Sequence, residues 1–210
     1  MRQELVTSFV TLWVVLDPLS TISVFLGLTH GMEAARRKVL ATKAVLIACV
    51  VLLFFIVAGQ FLLDAMNIPL HSFQIAGGIV LFLFAIGLIF GETKRQPVEA
   101  VPVAGSDDSV AVFPLAIPTI AGPGAMLAVV LLTDKERYSF SQQFDTVVVL
   151  TVVLFLLWLA LMLANPISRV IGASGANVLA RIMGLLLAAV AVNNVLAATR
   201  VYVGTMVGQP

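Results

Sequence analysis

The chain has 210 residues, 60% of them hydrophobic and only 11% charged, and its mean hydropathy is +1.09. That balance is far from that of a water-soluble domain and places the chain in a bilayer. The formal net charge of +1 lacks the clustered basic excess of a nucleic-acid surface, so nucleic-acid binding is set aside.

A hydrocarbon core of roughly 30 Å needs about 20 apolar residues per crossing helix. Six stretches qualify: residues 5–28, 39–62, 70–90, 110–132, 145–165 and 177–199. The expected fold is all-α, a multi-pass protein of six transmembrane helices. The first stretch follows a short charged start with Arg2, as a signal peptide would. It is long, carries Asp17 and Pro18 at its centre and lacks a clear small-residue cleavage site, so it reads as the first span. The single cysteine, Cys49, lies inside span two and reads as a small buried residue.

Glu92 to Ser109 is the longest polar connection, with Pro97, Pro102, Gly105, Asp107 and Asp108. It divides the chain into residues 1–91, a linker 92–109 and residues 110–210, three spans on either side. An odd number of spans per half inverts the second half, so internal similarity implies two inverted three-helix repeats. Aligning Thr29 with Thr133 matches the apolar runs before them and the acidic residues after them, Glu33 against Asp134 and Glu136. It also sets Asp17-Pro18 against Ala121-Gly122. The third and sixth spans share Gln74-Ile75-Ala76-Gly77 and Arg181-Ile182-Met183-Gly184 ahead of apolar runs.

Positive charge gives an orientation. Loops one, three and five hold Arg36, Arg37, Lys38, Lys43, Lys94, Arg95, Arg169 and Arg181; the other side holds Arg2, Lys135, Arg137 and Arg200. The excess places the odd loops in the cytoplasm and both termini outside it. Small residues at helical spacing mark close helix approach: Gly77 and Gly78, Gly87 and Gly91, and Ala180, Gly184 and Ala188.

Spans one and four are each broken near the membrane midplane. An ionised Asp17 at that depth costs on the order of 2.5–3.5 kcal/mol on insertion scales, so something must offset it. Asp at an N-cap followed by Pro at the first helical position is a favoured helix start, with the carboxylate at the positive end of the helix dipole. Span one then becomes two half-helices, the second starting at Pro18. In span four, Pro114 and Pro118 each remove a donor and restrict the preceding residue. Gly122-Pro123-Gly124 restarts the helix with no side chain at its mouth, so the N–H groups near Gly124, Ala125 and Met126 are left for an anion.

With the halves inverted, both helix starts meet near the midplane. Two positive dipole ends suit a carboxylate, while Asp17, Ser20, Thr21 and Thr119 suit an ammonium or a neutral polar group. A small zwitterionic solute fits, in a pocket kept narrow but free by Gly122, Pro123, Gly124 and Ala125. Asp17 is also the proton-coupling candidate, because a carboxylate held away from water can exchange a proton during a transport cycle. Asn193 and Asn194 in span six are further candidates, with interhelical hydrogen bonding as the plainer role.

His30 and His71 sit at span edges without ligand-like neighbours, so no metal or cofactor is expected. Glu33, Arg36, Arg37 and Lys38 read as a cytoplasmic anchor, and Trp13 and Trp158 as packing residues. An intramembrane enzyme needs paired catalytic groups; Asp17 is the one deep ionisable residue, so no catalytic residues are assigned. A non-transporting scaffold or assembly protein is the main alternative to a transporter.

The segment Phe113-Pro114-Leu115-Ala116-Ile117-Pro118-Thr119-Ile120-Ala121-Gly122-Pro123-Gly124-Ala125 resembles the signature of the MarC family of bacterial inner-membrane proteins. Asp17-Pro18-Leu19 with Phe25-Leu26 and Thr29 resembles that family's first-span motif, and Ile75–Gly78 and Arg181–Ala189 extend the likeness over essentially the whole chain. The resemblance implies a six-span inner (plasma) membrane protein of three-plus-three inverted repeats. It also implies, for some members, transport of small neutral amino acids such as glycine or alanine, by export or exchange. The partners implied are that solute and the lipid bilayer, with a homo-oligomer open. Ser20-Thr21 stands where Gly-Asn is usual and Ser23 where Pro is usual, which bears on substrate preference.

Overall fold

A computed structural model of the chain describes residues 2–90 and 107–207. Most of the expected linker, together with Gly91, Lys94 and Arg95, lies outside the described residues. Among these, every regular element is helical: α1 (Arg2–Leu16), α2 (Pro18–Leu28), α3 (Ala34–Ala65), α4 (Leu70–Phe90), the single turn α5 (Asp107–Val110), an irregular segment Ala111–Ile120, α6 (Pro123–Leu132), α7 (Phe140–Met162) and α8 (Ala164–Val207). Five stretches are long and apolar enough to cross a membrane, and Ala111–Ile120 with Pro123–Leu132, bent by 55°, makes a sixth when taken as one span.

Helices end where their residues dictate. α3 closes at Asn67, which takes φ 54, a left-handed value that Asn tolerates. The Ile68 N–H then reaches Leu63 O at 2.9 Å and the Asn67 N–H reaches Asp64 O at 3.0 Å, which satisfies carbonyls left over in the last turn. Pro69 cannot continue the helix, and α4 starts after it. At the start of α7, Gln142 Oε1 accepts the Ser139 N–H at 2.9 Å.

Two boundaries differ from expectation. α3 runs past the apolar stretch 39–62 at both ends, because hydropathy marks the hydrocarbon crossing while backbone hydrogen bonding carries the helix into the polar interface. The expected loop 166–176 is mostly helical, with Pro166 accepted in the first turn of α8 and the helix kinked at Gly172, φ 66. The last span, Ser174–Gly204, contains the expected stretch 177–199, with Arg181 near its start.

Between lipid-embedded helices, packing and hydrogen bonds replace water exclusion as the source of attachment, so small residues set the closest approach. A Cβ on Gly78 would lie 2.7 Å from Val195 Cγ2 and 3.1 Å from Ala191 O; one on Gly184 would lie 2.9 Å from Ile89 Cγ1 and 3.0 Å from Ala85 O. These two glycines seat α4 along α8. The broken spans occupy the centre, with Leu12, Leu16, Phe25, Leu115, Ile120 and Leu127 fully buried. Val50, Val57, Phe61 and Leu83 on α3 and α4 are exposed, as lipid-facing side chains are.

The helix contacts fall into pairs when the first three spans are exchanged for the last three. α1 packs on α7 as the 111–120 segment packs on α3; α6 packs on α4 as α2 does on α8; α6 packs on α3 as α2 does on α7. α1 against α6 is matched by α2 against the 111–120 segment, whereas α1 against α8 has no counterpart of similar extent. The two threonines aligned in sequence do the same work, Thr29 Oγ1 donating to Phe25 O and Thr133 Oγ1 to Val129 O, both at 2.7 Å.

Gly184→Ala should overpack the α4–α8 seam and cost about 1–3 kcal/mol. Gly27→Ala, with nothing within 4 Å of the new methyl group, should instead stabilise α2 by up to about 1 kcal/mol. Thermal unfolding in detergent reads both, and equal destabilisation would contradict the packing described.

Candidate functional site

Asp17 joins α1 to α2 with φ 41 and ψ 74, a left-handed conformation that Asp adopts more readily than most side chains. Pro18 follows at the first helical position, where its missing N–H removes no intrahelical bond. Asp17 Oδ1 accepts the Ser20 N–H at 3.3 Å and so caps α2. That uses one carboxylate oxygen. Asp17 Oδ2 and Ser20 Oγ are the buried side-chain polar atoms without a hydrogen-bond partner among the described residues, although Asp17 is only 3% exposed. The Ser20 hydroxyl lies beside the Asp17 carboxylate and is a side-chain partner for it, so the two buried groups face each other and meet no further polar group among the described residues.

The other hydroxyls singled out from sequence are already occupied. Thr21 Oγ1 donates to Leu16 O at 3.3 Å, satisfying a carbonyl freed by the break. Thr119 Oγ1 donates to Pro114 O at 2.8 Å.

Span four is interrupted over its whole first half, not only at Gly122. Phe113 (φ −131, ψ 127) and Ile117 (φ −129, ψ 123) are extended, and each precedes a proline whose ring disfavours a helical conformation there. The Ala121 N–H reaches back to Ala116 O at 2.8 Å. Gly122, extended at φ −80 and ψ 171, then opens α6 without a side-chain cap. Met126 does not contribute a free donor as expected, since its N–H bonds Gly122 O at 3.0 Å. Gly124 and Ala125 supply the N–H groups at the mouth of this helix.

The two breaks touch. A Cβ on Gly124 would lie 3.2 Å from Val15 Cγ1 and 2.5 Å from Leu81 Cδ1, so the first turn of α6 lies against the last turn of α1, beside Asp17 in sequence. A Cβ on Gly122 would lie 2.7 Å from Pro118 O. The space saved by both glycines is thus filled by the protein itself, where the sequence suggested room for a solute. Val14 to Pro18, Ile120, Ala121, Gly124 and Ala125 are buried; Thr119 and Gly122 are half-buried, and Pro118 and Pro123 are exposed. On α8, Asn193 is exposed and Asn194 half-buried, and no hydrogen bond joins either to the break residues.

Ties between the halves carry no sequence signal of their own. Gln60 Nε2 donates to Thr133 O at 3.3 Å, and Trp158 Nε1 to Thr42 Oγ1 at 3.0 Å. Arg37, read as an anchor, donates to Asn165 Oδ1 at 2.9 Å, with its guanidinium 5.9 Å from the Phe25 ring centroid.

A family model for the MarC family integral membrane proteins matches residues 2–203. The chain belongs to the MarC family. Its MarC relatives include a UPF0056 membrane protein of Archaeoglobus fulgidus, 36% identical over 88% of this chain and 87% of that one. One from Aquifex aeolicus is 32% identical over 89% and 88%, and YvbG of Bacillus subtilis is 32% identical over 88% of each. No solved structure matches the chain significantly. Membership establishes a multi-pass integral membrane protein, in agreement with the apolar helices.

The occupied and unoccupied hydroxyls should separate on mutation. Thr21→Val should cost about 1 kcal/mol by stranding Leu16 O, whereas Ser20→Ala should leave stability unchanged or higher. Unfolding midpoints of the two purified variants check this.

Proposed function

We propose that this MarC protein is a secondary transporter of small neutral amino acids such as glycine or alanine, working by export or exchange. The observation that carries it is the buried Asp17 carboxylate with the Ser20 hydroxyl beside it at one helix break, neither meeting a further polar group among the described residues, and the uncapped start of α6 packed against the same turn. Broken helices in corresponding places of two halves are how secondary transporters build midplane sites. The solute's ammonium is held by Asp17 and Ser20, and its carboxylate by the N–H groups of Gly124 and Ala125 at a positive helix end. Val15 and Leu81, which fill the space beside Gly124, must draw back to admit the solute, and a small solute asks the least of them.

The two halves act as inverted repeats that rock about this site, a role supported by the paired helix contacts. The protein resides in the bacterial inner membrane, with Arg36, Arg37 and Lys38 on the cytoplasmic side and both termini outside. Asp17 is the group that couples a proton to transport. Among the described residues no second catalytic group accompanies it, which favours transport over intramembrane catalysis.

Asp17→Asn keeps the left-handed turn but removes the charge, worth about 1.5–3 kcal/mol in a charge-assisted hydrogen bond. Flux of labelled glycine or alanine in proteoliposomes should fall about tenfold or more, and Gly124→Leu should abolish it by forcing α6 away from α1. Unchanged flux in both folded variants would remove the site and leave a scaffold role.

A further inference from the structure

Asn193 stands exposed on a face of α8 that is otherwise apolar. Leu185, Leu186, Ala189, Val192 and Leu196 surround it at helical spacing and are exposed as well, Leu185 by 60% and Leu196 by 55%. Such a surround marks the face as lipid-facing.

The seam between α4 and α8 gives the depth. A Cβ on Gly78 would meet Val195 Cγ2 and Ala191 O, and one on Gly184 would meet Ile89 Cγ1 and Ala85 O, so the two helices run antiparallel with Asn193 level with Gly78. Gly78 lies beyond the second turn of α4 (Leu70–Phe90), which puts Asn193 roughly 12 Å inside the crossing at 1.5 Å per residue. Hydrocarbon there supplies neither donor nor acceptor. The exposed hydroxyls of Ser23, Thr151 and Thr199 avoid the resulting penalty by donating to Leu19 O, Val147 O and Val195 O on their own helices. The Asn193 amide makes no such bond, and meets no partner among the described residues.

We infer that Asn193 is the contact through which two copies of this protein pair in the membrane, α8 against α8 about a two-fold axis along the membrane normal. A primary amide donates and accepts at once, so two copies of the same Asn satisfy each other. A second copy also presents that group at the same depth and in the same orientation, which makes the contact self-complementary. Ala189, one turn earlier on the face, lets the two backbones come close enough for short amide side chains to meet. Arg200, exposed two turns further on, lies where helices crossing at Asn193 diverge, which keeps the two like charges apart. The pairing uses the face of α8 turned away from α4 and does not depend on the transport role.

The test uses the full chain in lipid bilayers over a range of protein-to-lipid ratios, with energy transfer between donor-labelled and acceptor-labelled copies reading association. Asn193→Leu suits lipid and should leave the thermal midpoint unchanged or higher, yet weaken association at least tenfold. Asn193→Gln keeps the amide and should keep the association. In a Cys49→Ala background, oxidation should join Ala189→Cys copies by a disulfide and leave copies carrying Val50→Cys, on the lipid-facing side of α3, unjoined. A chain that stays monomeric over these ratios, or Asn193→Leu copies that associate as tightly as the unaltered chain, would overturn the pairing. So would rapid modification of Ala189→Cys by a membrane-impermeant thiol reagent, which would show that this face meets water.

Discussion

Backbone N–H and C=O groups in hydrocarbon have no water to turn to, and a broken transmembrane helix survives only where its freed groups find partners. Much of the centre of this protein meets that constraint. Thr21 takes Leu16 O, Thr119 takes Pro114 O, Ala121 reaches back to Ala116 O, and Asp17 caps α2 with one oxygen. The same accounting singles out what is unmet. Among the described residues Asp17 Oδ2 and Ser20 Oγ have no polar neighbour beyond each other, and the first turn of α6 has no side-chain cap.

The surrounding helices hold the two breaks together with small residues. Gly124 brings α6 onto α1, while Gly78 and Gly184 bring α4 onto α8. In lipid such contacts do the work that water exclusion does in a soluble core. Leu127 seats against Gly77 in the same way, bringing α6 onto α4.

The spans were legible in the sequence because hydropathy over about 20 residues is a strong signal. So was the Asp17-Pro18 helix start, since capping and the position of proline are local chemistry. The extended residues Phe113 and Ile117 follow from their prolines, but their full extent needed the backbone geometry. What lies beyond local chemistry was not legible. Gly122 and Gly124 looked like room for a solute because sequence records a missing side chain and not which neighbour takes its place. Likewise Thr21 and Thr119 looked free, as hydroxyls do until the carbonyls they serve are located. The helix kinked at Gly172 was read as a loop because Pro166, Ser168, Arg169 and Ser174 interrupt the apolar run there, while the backbone stays helical on both sides of one left-handed glycine.

The account makes one solute site out of two helix breaks, with opposite charges assigned to opposite sides. Determining the structure with glycine bound, in a lipid nanodisc, addresses this most directly. The ammonium should lie within hydrogen-bond reach of Asp17 Oδ2 and Ser20 Oγ, with the carboxylate at the N–H groups of Gly124 and Ala125. Glycine bound away from both breaks, or an Asp17 Oδ2 satisfied by the protein's own groups in that structure, would contradict it.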